Sequence, residues 1–229
     1  MDLKYYLENL YVLPILIFSV VIHEVSHGWV ALKCGDTTAK DLGRLTLNPI
    51  PHIDLFGSII VPIISIIFTG RVLIAWAKPV PVNPHNLRSF RRDDTLVTIA
   101  GPISNLIIAF VCSCFVIIIF FIARSFALQQ ESFSFEFLSY LNKMFSAGIY
   151  LNVALAVFNM LPIPPLDGSH ILANMLPEEL ANRYRQIGFA GIFIILLLFN
   201  YVPGFSKLFL GIITFVAQPY LNFVSYFIK

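Results

Sequence analysis

Five long apolar runs set the first limit on this chain: residues 10–32, 96–123, 145–161, 187–202 and 208–228. Each is long enough, or nearly so, to cross a hydrocarbon core that takes about 20 helical residues. Only Glu24 interrupts them with an acidic or basic charge. Charged residues make up 12% of the chain, about half the roughly 25% of a soluble domain. In lipid every backbone donor and acceptor must be bonded within the protein, and a helix does this by itself. The expected class is therefore an all-α polytopic membrane protein with five spanning helices. A net charge of +2 indicates no nucleic-acid partner. The first run is too long for a signal-peptide core, so it is expected to be retained.

A sixth apolar stretch, residues 55–70, contains Gly57 and Pro62, and its solid core is only 59–68. It is short for a span, and the sharper reading is a re-entrant segment. Residues 43–49 (GRLTLNP) and 75–84 (AWAKPVPVNP) flank it and alternate apolar with polar or proline residues. Both read as short β elements. Neither long loop, 35–94 or 124–143, has room for a domain with its own core. The expected organisation is one membrane-embedded domain over 1–229, with a core of about 10–176 and a C-terminal helical hairpin of about 183–228. Cys34, Cys112 and Cys114 have no framework spacing and read as small core residues.

The first run carries Val21-Ile-His-Glu-Val-Ser-His-Gly28. An ionisable group at mid-bilayer costs about 2.5–3.5 kcal/mol on insertion scales, so these side chains need a partner. His23 and His27 are one helical turn apart and share a face, so both imidazoles can reach one ion. Glu24 lies beside them. This is the H-E-x-x-H pattern, with two zinc ligands and a general base that takes a proton from metal-activated water. An interhelical hydrogen bond would explain one histidine, but not Glu24.

A catalytic zinc usually has three protein ligands. The remaining histidines are His52, His85 and His170. The best candidate is Asp167, which follows Pro162, Pro164 and Pro165 after the third run. A carboxylate at a helix-broken, rigid site suits ligation. The alternative is that Asp167 caps the following helix, 170–176, and the two roles are compatible.

With these two motifs in this order, the chain resembles the site-2 protease family of intramembrane zinc metalloproteases. The stretches GRLTLNP (43–49), HID (52–54), WAKPVPVNP (76–84) and AGPISN (100–105) resemble a compact bacterial branch without a PDZ or CBS domain. The resemblance covers about residues 10–201. It implies one Zn2+ held by His23, His27 and Asp167, with Glu24 as base. It also implies a substrate role for Asn105 and Asn159. His170 departs from the arginine expected there, and reads as an alternative ligand or a polar helix-start residue.

Topology constrains the motif further. His23 and His27 lie toward the C-terminal end of the first run, and Asp167 lies past the C-terminal end of the third. One ion reaches all three only if both ends are at the same membrane face, which requires 55–70 to re-enter rather than span. Re-entry divides Lys and Arg eleven against four, the four being Lys4, Arg124, Lys143 and Lys207, whereas spanning divides them nine against six. The steeper bias favours re-entry and places the site near the cytoplasmic face of what is expected to be a bacterial inner membrane. The expected activity is hydrolysis of peptide bonds in or near the transmembrane segment of a membrane-tethered protein. The substrate would unwind and add as a strand to a β edge. The expected partners are that substrate and the lipid bilayer. The rival reading is a non-proteolytic metal-binding protein or ion transporter built from the same residues.

Overall fold

The structure, a computed structural model, describes residues 11–60, 76–125 and 132–228. Eight α-helices form among them: α1 (Val12–Lys33), α2 (Thr38–Asp41), α3 (Phe90–Ser125), α4 (Phe133–Asn159), α5 (Asp167–Met175), α6 (Glu178–Arg185), α7 (Gly191–Tyr201) and α8 (Phe205–Ile228). Four of them, α1, α3, α4 and α8, are long and apolar enough to cross a membrane. The expected fourth span, 187–202, is only in part a helix of its own. At 1.5 Å per residue α7 covers roughly 16 Å, half a hydrocarbon core. Among the described residues, a fifth crossing exists only if the bent pair of residues 178–185 and 188–201, angled by 69°, counts as one broken span.

Large apolar side chains stand in the open on these helices, among them Ile107 (57% exposed), Phe193 (68%) and Phe215 (79%). A water-soluble monomer rarely shows so much apolar surface; in lipid it needs no cover. Three serines of these helices are satisfied locally. Ser19, Ser26 and Ser113 donate to the carbonyls of Ile15, Ile22 and Ala109, one turn back, so they carry no unpaired hydroxyl into the apolar phase.

The β elements require a correction. Among the described residues no strand forms, and 43–49 and 76–83 are irregular. The Trp76 and Lys78 amides donate to the carbonyls of Gly57 and His52. Those acceptors lie too far apart in sequence for the two-residue step of a ladder, and Pro79 and Pro81 have no N–H to extend one. The stretch expected to re-enter, 55–70, lies outside the described residues from 61 onward, but its first residues meet the chain that follows it. Trp76 N donates to Gly57 O at 3.1 Å, and Ser58 Oγ donates to Trp76 O at 2.8 Å.

The chain divides into two compact units, Val20–Gly101 and Met1–Ser19 with Pro102–Lys229. In the first, Ala31, Leu87 and Val97 form the core. Asp36, fully buried, ties its loops together. It accepts hydrogen bonds from the Thr38 amide and hydroxyl, the Asn83 amide at 2.7 Å and Asn86 Nδ2 at 2.9 Å. Burial raises the pKa of this carboxyl, but the four hydrogen bonds outweigh it and hold the group below the ordinary aspartate value.

In the second unit, Ala109 of α3, Val153 of α4 and Ile213 and Ala217 of α8 pack together. Small residues allow a close crossing: a Cβ at Gly148 would stand 2.9 Å from Cys112 Sγ. Asn105 and Asn152, both fully buried, join α3 to α4, Asn105 Nδ2 donating to Asn152 Oδ1 at 3.0 Å.

Candidate metal centre

The helix period of α1 brings His23 and His27 together as their spacing predicts. Their Nε2 atoms lie 3.0 Å apart and the rings are nearly perpendicular, at 86°. Two nitrogens on one tetrahedral zinc stand about 3.3 Å apart, given Zn–N bonds of about 2.0–2.1 Å. The pair therefore fits a shared ion with almost no movement. His27 Nδ1 lies 2.7 Å from Val97 O of α3. A carbonyl can only accept, so Nδ1 carries the proton and Nε2 presents its lone pair toward His23. That is the tautomer a metal needs, fixed by the partner of the other ring nitrogen.

One turn past Val97, Gly101 gives the imidazoles their space. A Cβ there would meet Nε2 and Cε1 of His27 and would stand 2.6 Å from Cε1 of His23. Gly28, on the Glu24 face of α1, does the same for the opposite wall. A Cβ at Gly28 would stand 2.7 Å from both Leu45 Cδ2 and Val80 Cγ1. This close approach lets Val80 N donate to Glu24 Oε2 at 2.8 Å. The amide holds one carboxylate oxygen, and among the described residues Oε1 has no hydrogen-bond partner. An oriented carboxylate with a bare oxygen, next to two converging imidazole Nε2 atoms, can accept a proton from water.

Behind Val80, the segment is held at several points. Lys78 N donates to His52 O, and Arg44 Nη2 donates to the carbonyls of Lys78 and Pro79. His52 Nε2 meets Thr46 O at 3.0 Å, and Asp54 Oδ1 accepts from Gly57 N at 2.6 Å. Both side chains tie local turns of the segment together.

Asp167 belongs to the other unit. It opens α5, where Leu166 is the cap position and no side-chain cap forms, so the capping alternative is not the geometry adopted. An acidic side chain in the first turn complements the helix dipole. The loop before it folds tightly onto α5: a Cβ at Gly168 would meet Met160 O and stand 2.7 Å from Leu161 O. His170 is exposed on α5, and His85 is exposed in the loop before α3. Asn159 is half-buried and donates to Leu155 O of its own helix.

Sequence reasoning missed Val80, Val97, Gly28 and Asp36. The first two act through backbone atoms, which leave no side-chain signal. Gly28 and Asp36 act by contacts with residues distant in the chain.

The chain matches the sequence profile of Peptidase family M50 over residues 11–199. It is 39% identical over 212 residues to "Putative zinc metalloprotease YwhC" of Bacillus subtilis, covering 93% of this chain and 86% of that protein. It is 27% identical over 184 residues to "Putative zinc metalloprotease Rip2" of Mycolicibacterium smegmatis, covering 79% of this chain and 64% of that protein. A protein of the same name from Mycobacterium tuberculosis is 27% identical over 200 residues, covering 85% of this chain and 68% of that protein. No solved structure matches.

Proposed function

This chain belongs to peptidase family M50, the site-2 proteases, and on that premise we propose that it is an intramembrane zinc metalloendopeptidase. It hydrolyses peptide bonds in or near the transmembrane segments of membrane-tethered substrates. The observation that carries this reading is the convergence of His23 and His27 Nε2, with Glu24 oriented beside them by Val80.

One zinc ion is held by His23, His27 and Asp167. When bound, it supplies a Lewis acid for the scissile carbonyl and lowers the pKa of water toward about 7. Glu24 takes the proton of the attacking water on Oε1 and passes it to the leaving amine. The Val80 amide keeps the other oxygen fixed through both transfers. Asn105 and Asn159 contact the substrate backbone, Asn105 by exchanging its Asn152 partner for substrate.

The whole chain, 1–229, works as one protease domain of a multi-pass membrane protein. The meeting of Trp76 with Gly57 supports re-entry of the stretch between them, because the ends of a crossing segment would stand about 30 Å apart. Re-entry together with the charge bias supports a site near the cytoplasmic face of a bacterial inner membrane. The unwound substrate lays its backbone beside residues 43–49. There, among the described residues, the backbone groups of Leu45 and Leu47 are engaged by no hydrogen bond, and such groups can bind an added chain.

Comparing membrane proteomes of cells carrying the wild type or Glu24→Gln tests this function. Single-pass membrane proteins should accumulate uncleaved in the variant. Identical fragment patterns would favour a carrier or binding protein.

A further inference from the structure

The side chain that delivers a ligand is only as well placed as the loop that carries it. Residues 160–166, just before Asp167, can do little to fix themselves. Pro162, Pro164 and Pro165 have no N–H, and the loop's internal bonds come from Ile163 N to Leu161 O at 2.8 Å and Leu166 N to Ile163 O at 3.0 Å. The other carbonyls must find donors elsewhere.

The donor comes from α6. Tyr184 Oη donates to Pro162 O at 2.7 Å. The next residue, Arg185, donates through Nη2 to Asn174 Oδ1 of α5 at 3.2 Å. These two adjacent side chains thus grip the chain on both sides of Asp167, the loop before it and the helix it opens. A third contact closes the frame at the start of α7. A Cβ at Gly191 would collide with Pro164 O, so the helix packs against the loop with no room for a methyl group. Ala181, one turn before Arg185, is buried and keeps α6 seated.

We propose that Tyr184 is a positioning residue for Asp167: its hydroxyl fixes the proline loop, and through it the carboxylate that completes the zinc site. The inference rests on the assignment of Asp167 as a ligand. Partners that orient a metal ligand typically govern affinity by about 10–100-fold. Tyr184 acts one step further back, through a carbonyl, so the lower end of that range applies.

The test measures the apparent zinc dissociation constant of the purified full-length protein by chelator competition, in wild type, Tyr184→Phe, Gly191→Ala and Asp167→Ala. Thermal unfolding of the metal-free form is measured alongside. Tyr184→Phe removes one oxygen and keeps the ring, so it should weaken zinc about tenfold while the metal-free melting temperature stays at the wild-type value. Its turnover number should return to wild type at saturating zinc. Gly191→Ala should weaken zinc by a route independent of the hydroxyl. If Tyr184→Phe fails to fold, Gly191→Ala tests the loop through which Tyr184 acts, and wild-type zinc affinity in it would then overturn the proposal. Wild-type zinc affinity in Tyr184→Phe, with affinity lost in Asp167→Ala, would overturn the positioning role alone. Wild-type affinity in Asp167→Ala would overturn the ligand assignment beneath it.

Discussion

The backbone amide of Val80 donates to Oε2 of Glu24 at 2.8 Å, across 56 residues of chain. The carboxylate on α1 is therefore aimed by a loop, and the missing Cβ at Gly28 lets that loop come so near. Val80→Pro deletes the donor in a segment already flanked by Pro79 and Pro81. A hydrogen bond to a charged group is worth about 1.5–3 kcal/mol, so turnover should fall about 10–100-fold. Zinc content should not change. Loss of zinc in this variant would show that the segment supports the metal rather than the base.

Two glycines should separate the same two functions. Gly101→Ala puts a methyl group into the imidazole pair and should strip zinc from the protein. Gly28→Ala presses on Leu45 and Val80 instead, and should reduce cleavage with zinc retained. Elemental analysis of both variants, beside their cleavage rates, checks the contrast.

How much of this was open to sequence reading differs from residue to residue. The meeting of His23 and His27 was legible because a helix has one period, and four residues bring two side chains onto one face. The long helices were legible because lipid demands uninterrupted apolar length. Residues 187–202 were legible only in part, because composition alone cannot show the turn at Gly188–Ala190 that leaves α7 with only Gly191–Tyr201. The alternation at 43–49 and 76–84 misled for a different reason. Alternation marks a chain with two faces, but a strand needs a partner at matching register, and Pro79 and Pro81 forbid it.

Asp36 makes acid stability testable. Its folded pKa lies below the unfolded one, so its stabilising contribution is complete above the unfolded value and is lost as pH falls through the folded value. Asp36→Asn places an amide where Asp36 Oδ2 accepts the Asn83 N–H or where Oδ1 accepts three bonds. Either way donor meets donor, at about 1–3 kcal/mol. The variant should melt lower at pH 7, and its melting temperature should fall less steeply on acidification than the wild type's. Parallel acid limbs would remove Asp36 from the account.

The contact between Gly57 and Trp76 predicts a labelling pattern. Single cysteines at Lys40 and Arg92, both exposed, should react with an impermeant thiol reagent from the same side of the membrane, the cytoplasmic one. Reaction from opposite sides would mean that the intervening stretch crosses, and that a different residue completes the metal site.

The central claim is that His23, His27 and Asp167 hold zinc while Glu24 moves the proton. Purified Glu24→Gln, assayed for bound zinc and for cleavage of a transmembrane peptide in the same preparation, tests it most directly. Glutamine keeps the shape and the acceptor for Val80 but is no base at neutral pH. The account predicts one zinc per chain, as in the wild type, and cleavage reduced at least about a hundredfold, given that general-base catalysis contributes about 10²–10⁴-fold. Cleavage near the wild-type rate with zinc in place would contradict it.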